Sequence, residues 1–363
     1  MTTFSASDWL VALTHIAGVG WQTIAKIDEV CGGFANLPQA MNAHGDELAG
    51  RRLRPQTIVA QLKATETRQA VVALKQSNIR TLTVFDAHYP PLLREIAQPP
   101  WVLYILGNAA LLKKPALAVV GTRTPTPYGE AVAHKLSSEL ATCGWTVVSG
   151  MARGIDSIAH RGALERGGAT VAVLGSGVDV VYPQRNHALY RDILRTGAVV
   201  SEFPPGTKPH PAFFPLRNRI ISGLSRGTVV VEAAARSGSL ITADASLEQN
   251  RDVFAVPGPI TSPHSAGTNR LIQHGAKCVM TLTDILDEYP DVAQPAASLE
   301  PQPPEQLTLE ETAVLNAITA EPLHVDELCA KTRFTLAEIH PLLLSLLMKR
   351  LVKQLPGSRF VRV

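Results

Sequence analysis

Leu117-Ala118-Val119-Val120-Gly121-Thr122-Arg123 runs a short apolar strand into a bare glycine turn that ends on a cation. The same device recurs downstream. Val147-Val148 runs into Ser149-Gly150, Val171-Ala172-Val173-Leu174 into Gly175-Ser176-Gly177, and Val253-Phe254-Ala255-Val256 into Pro257-Gly258. Short valine-rich runs without polar alternation suit strands buried on both faces. Their spacing, about 25 to 30 residues, leaves room for one crossover helix each time. The pattern predicts an α/β fold with a Rossmann-like, doubly wound, mostly parallel sheet. Such sheets bind ligands beyond the carboxyl ends of their strands, where these small residues fall. Bare backbone at a helix start suits a phosphate.

Around this centre the chain separates into segments. Residues 1–85 read as helical. Ser7-Asp8 can cap a helix through Ile16, Gly18-Val19-Gly20 makes a tight turn, and a second helix runs from about Gln22 to Val30. That is a SAM/helix-hairpin-helix-like pattern, and equally a plain helical hairpin with a glycine turn. Residues 86–290 hold the sheet, with helices expected over 128–143, 155–166, 186–195 and 240–250. Residues 291–306 form a proline-rich linker. Residues 307–363 read as a winged helix: helices from Thr308 and Val325, a third bearing Ile339, Leu342, Leu343, Leu346 and Leu347, then a hairpin. Pro341 lies too deep for a cap at Thr335, so the third helix is expected to start later or to kink.

Composition narrows the chemistry. Of 363 residues, 45% are hydrophobic and 18% charged, an ordinary globular balance, and the net charge of +3 does not by itself imply nucleic acid. Its distribution says more: between Met151 and Gly275 there are twelve arginines and one lysine, Lys208. Arginine grips phosphate in a bidentate way that lysine cannot match. Cys31, Cys143, Cys278 and Cys329 lie far apart without zinc-like spacing, consistent with free thiols in a reducing cytosol. We expect no signal peptide, no membrane span and a cytoplasmic location. The turns at Gly121 and Gly175 lack the G-x-G-x-x-G fingerprint, and neither a P-loop nor a metal motif occurs. No cofactor is therefore expected.

What remains is a ring of donors. Ser149, Gly150, Arg153 and Gly154 open one helix, and Ser237, Gly238 and Ser239 open another. Phe214 is followed by Arg217-Asn218-Arg219, whose arginines point one way if the chain is extended and diverge if it is helical. Glu232 ends an apolar strand, either as a catalytic carboxylate or as an anchor for neighbouring groups.

At these residues the chain resembles the bacterial DNA-processing protein A family, also called Smf. The matching strings run in order over about 117–277. They include Gly121-Thr122-Arg123, Ser149 to Asp156, Gly177-Val178-Asp179 with Tyr182-Pro183 and Asn186, Phe214-Pro215 with Arg217 to Ser225, and Arg236 to Thr242. The resemblance implies a non-enzymatic protein that binds single-stranded DNA without sequence preference. It also implies protection of incoming strands in natural transformation, loading of the RecA recombinase, and a homodimer formed through the Rossmann-like domain. Arg123 resembles the family's first-turn arginine that contacts DNA, and Arg217 and Asn218 fall in its arginine-asparagine-arginine string. Where some members carry a lysine after Tyr-Pro, this chain has Gln184, with Arg185 next. The alternative is a nucleotide-processing enzyme like the lysine-decarboxylase-like phosphoribohydrolases, whose glycine-threonine-glutamate motif Gly227-Thr228 and Glu232 echo without its spacing.

Overall fold

The computed structural model describes residues 4–49, 54–292, 307–319, 321–349 and 351–362. Contacts divide the chain into two compact units, residues 1–124 with 133–293 and residues 125–132 with 294–363. The proline-rich stretch expected as a linker lies, from residue 293 to 306, outside the described residues.

The larger unit opens with α1 (Ala6–Thr14), α2 (Trp21–Cys31), α3 (Leu37–Ala43), α4 (Gly45–Leu48), α5 (Pro55–Lys63) and α6 (Thr65–Gln76). Ser5 and Asp8 close a capping box at α1, each bonding the other's amide. Gly18, at φ +83°, makes the turn before α2, a backbone region that a side chain would strain. Strand β1 (Arg80–Thr83) falls inside the stretch expected to be helical. After α7 (Pro91–Arg94) come β2 (Val102–Gly107), β3 (Ala116–Val120), α8 (Pro127–Thr142, in this unit from residue 133), β4 (Thr146–Ser149), α9 (Ile155–Glu165), β5 (Thr170–Val173), α10 (His187–Thr196) and β6 (Ala198–Ser201). The unit closes with α11 (Phe213–Gly223), β7 (Gly227–Val230), α12 (Gly238–Glu248), β8 (Asp252–Ala255), α13 (Ala266–Gln273), β9 (Lys277–Cys278) and α14 (Thr283–Leu286).

These strands form one sheet in the order β1-β2-β6-β5-β4-β3-β7-β8-β9. From β6 to β9 every neighbour is parallel, whereas β1 and β2 add an antiparallel edge. The order reverses beside β3: successive crossovers run outward through β4, β5 and β6, then return to β7 on the other flank. That is a doubly wound sheet with its switch point between β3 and β7.

Both faces of the sheet are covered, which is why its strands read as unbroken apolar runs. Val102, Tyr104 and Leu106 of β2 pack into a core shared with the N-terminal helices, while Leu103 and Ile105 face the opposite core. Polar contacts lock this junction. Thr14 Oγ1 and Tyr104 OH lie 2.6 Å apart, and Trp21 Nε1 donates to the Pro99 carbonyl. The helices of the first segment and the sheet thus form one unit, because the antiparallel edge needs a cover for its apolar face. Each fully buried valine, leucine or isoleucine on these faces contributes about 1.5–3 kcal/mol.

The smaller unit contains α15 (Leu309–Ala317), β10 (Leu323–His324), α16 (Val325–Thr332), α17 (Leu336–Met348), β11 (Val352–Leu355) and β12 (Arg359–Arg362). Its three strands pair antiparallel in the order β10-β12-β11, the arrangement of a winged helix. The cap at Thr335 does form, and α17 carries Pro341 inside it rather than starting later.

Candidate functional site

The carboxyl ends of the parallel strands at the switch point open into a cleft of about 550 Å³. Its walls come from the turn after β3 (Gly121, Arg123), the loop entering α9 (Ala152, Asp156), Tyr182, the first turns of α11 and the start of α12 (Ser237, Gly238, Ser239).

Close backbone approach explains the glycine after β3. A Cβ on Gly121 would come within 2.6 Å of Ile155 Cγ1 and 2.9 Å of the Glu232 carbonyl oxygen. Thr122 is held from both sides: its amide donates to the Glu232 carbonyl, and its own carbonyl accepts from the Ile155 amide. Arg123 then leaves the turn exposed, with its guanidinium 5.8 Å from the centroid of the Phe214 ring; it forms no ion pair among the described residues, although its charge is felt by buried Asp156. Phe214 lies against Tyr182, ring centroids 5.5 Å apart, and close above Gly175, where a Cβ would come to 3.0 Å of the ring. A cation beside two tilted rings suits a strand with both phosphates and bases.

Arg217 has a different role. It is 4% exposed and donates from Nη1 to the carbonyls of Gly150 (2.7 Å) and Val173, the ends of β4 and β5. Gly150 is required here, since a Cβ would come within 2.2 Å of the guanidinium. Asp156 completes the strut by accepting from the amides of Gly150 (3.2 Å) and Ala152 (3.3 Å). Burial pushes the Asp156 carboxyl up, with the Arg217 charge opposing. Burial likewise lowers Arg217 to about 10, so it stays charged at neutral pH. Asp156 is the group that sequence reasoning missed. An acid runs against the expected charge of a loop built from bare amides, yet it organises that loop by using two of them. Its place in the first turn of α9 was the available signal.

Other expected residues serve the scaffold. Ser149 Oγ donates to the Val119 carbonyl across β3 and β4. Asn186 is buried and donates to the Met151 carbonyl (2.8 Å) and to Ser157 Oγ (3.0 Å). Gly154, at φ +82°, packs against Thr122 and Arg123 backbone, and Arg153 Nε donates to the Arg123 carbonyl. Gly177 sits beside the 204–206 backbone, outside the cleft walls. Asn218 spans the cleft floor, accepting from Arg217 Nε and donating to the Gly238 carbonyl. Ser237 caps α12.

Because α11 is helical, Arg217 and Arg219 diverge. Arg219 pairs with Glu202, whose carboxyl burial pushes up, and takes no part in lining the cleft. Arg185 is exposed on the turn Gln184–Asn186, also outside the cleft walls. Glu232 is buried, 2% exposed, and does not line the cleft either. Among the described residues no helix is long and apolar enough to cross a membrane.

Comparison with known proteins follows this geometry. Residues 80–290 match the family model described as DNA recombination-mediator protein A, and residues 298–358 match the DprA winged helix domain. The DNA processing protein DprA of Bacillus subtilis is 42% identical over 224 residues, 61% of this chain and 75% of that one. The X-ray structure of DNA processing protein A from Streptococcus pneumoniae superposes with a TM-score of 0.67 at 35% identity, over 79% of this chain and 99% of that one. A structure of the Helicobacter pylori protein, described for its single-stranded DNA binding mode, gives 0.53 at 30% identity over 58% and 95%.

Proposed function

The chain belongs to the DNA recombination-mediator protein A family, and from that premise we propose that it binds single-stranded DNA in the cleft at the switch point of its sheet. The observation that carries the reading is Arg123: exposed, in no ion pair among the described residues, and set beside the Phe214–Tyr182 rings. A phosphate pairs with the guanidinium while a neighbouring base lies on the rings, a mode indifferent to sequence. Arg217 and Asp156 hold the loops around that contact. The cleft needs no catalytic group for this work, and its one acid is committed to backbone amides.

Family membership supports the finer part of the proposal. The protein covers single strands entering the cell in natural transformation, helps load the RecA recombinase onto them, and acts in the cytoplasm as a homodimer through its sheet unit.

The test is a salt titration of binding to one oligonucleotide, single-stranded and then duplexed, for wild type and Arg123→Ala. The single strand should bind tighter. Losing one phosphate contact should lower the slope of log affinity against log salt by about 0.7. Equal binding of both forms, with a slope that Arg123→Ala leaves unchanged, would exclude the cleft.

A further inference from the structure

The cleft uses few of the arginines that distinguish this chain. Arg219, Arg226 and Arg251 are ion-paired, Arg166 donates to Ser138, and Arg217 is buried. Arg185, Arg191 and Arg195, like Arg161, Arg236 and Arg270, are exposed, and their side chains make no hydrogen bond or ion pair among the described residues.

Their placement is ordered. Arg191 and Arg195 stand four residues apart on α10, and exposed His187 stands four before Arg191. Residues at that spacing share one helix face. The other face of α10 is anchored in the core by Leu189, Tyr190 and Ile193. Asp192, the one acid of the helix, stands three residues before Arg195 and pairs with neither arginine. An exposed arginine row is ordinarily just a solvated face, so its position has to decide. The chain reaches α10 straight from the cleft. Tyr182 lines the cleft, the turn bearing Arg185 follows, and Asn186 ties that turn to the carbonyl of Met151, the residue before cleft-lining Ala152.

We propose that α10 is the track by which a single strand leaves the cleft, its phosphates passing Arg185 and then Arg191 and Arg195. Four residues of helix rise about 6 Å. A row on that scale can meet successive phosphates of one strand, and its continuity with the cleft, not its spacing, is what points to the strand held there. The proposal rests on the cleft reading and extends it, and its test separates the two.

Affinity and salt slope are measured for an oligothymidine of about six residues, which the cleft alone accommodates, and for one of about twenty. The proteins are wild type, Arg123→Ala, the double variant Arg191→Ala with Arg195→Ala, and the corresponding double lysine variant. The double alanine variant should bind the short strand as wild type does. It should bind the long one about tenfold more weakly, with the slope reduced by about 1.4, and the lysine variant should restore most of both. If it holds the long strand with wild-type affinity and slope while Arg123→Ala weakens both lengths, the track is wrong and the cleft stands. If Arg123→Ala leaves both lengths unchanged, the cleft reading fails and the track fails with it.

Discussion

Arg123 and Arg217 border one cleft, and burial gives them different chemistry. Arg123 keeps its guanidinium in solvent, where a phosphate can reach it, while Arg217 uses its own to tie the ends of β4 and β5 to α11. Arg217→Ala would remove the donor that ties the buried Gly150 and Val173 carbonyls and the larger of the charges facing Asp156, and each buried group left unsatisfied costs about 1–3 kcal/mol. Urea unfolding should register that loss, and an unchanged midpoint would mean that the strut adds nothing to stability. His160 makes a related prediction. Thr170 Oγ1 donates to the Val147 carbonyl and so accepts from His160 Nδ1, leaving the imidazole neutral and fully buried. Burial, aided by the Arg217 charge, pushes His160 down from 6.5 to about 3. The unfolded chain therefore binds the extra proton first. The histidine's contribution is complete above pH 6.5 and falls as pH drops towards 3, by up to about 1.4 kcal/mol per unit. His160→Asn should flatten that part of the stability profile. An equally steep profile in the variant would place the effect elsewhere.

At the scale of elements, prolines decided what could be read. Phe214-Pro215 suggests extended chain, because a residue before proline avoids the helical region. In α11, however, Pro215 stands in the first turn, where its missing N–H has no helical partner to lose. The helix forms, and the paired use of Arg217 and Arg219 is lost with it. Pro341 shows the same tolerance deeper in α17, where the Thr335–Glu338 capping box still sets the start. By contrast, the helix start at Thr308 was legible, and Glu311 closes its capping box there, but the second use of Glu311 was not. Its carboxylate also accepts from Lys349 and Ser345 on α17, and these contacts with the Thr308 amide hold it down to about 2. A depressed acid contributes above its unfolded value of 4.5 and loses that contribution as pH falls towards 2. Glu311→Gln should therefore destabilise the α15–α17 pairing at neutral pH, with the gap to wild type closing between pH 4.5 and 2. Amide NMR signals from those helices would follow it, and a gap independent of pH would show that the charge is not what matters.

For the whole molecule, the sheet was legible because a strand buried on both faces needs an apolar run and a glycine-bounded exit, both local features. Leu117 to Arg123 and its repeats placed the parallel strands, the switch-point side and the bare turns. The antiparallel edge was harder to see. β1 and β2 have no repeat of the device, and the N-terminal helices that cover Tyr104 lie far away in sequence. The sequence by itself therefore determined the class of fold, the winged helix and the residue types that line the cleft, since propensity, capping and hydrophobic period act over a few neighbours. Only the tertiary structure decided which arginine stays in solvent and which becomes a strut. It also decided that Asp156 occupies the amides of its loop and that Arg219 turns away to Glu202. Burial and charge pairing are set by groups distant in sequence, and no local pattern encodes them.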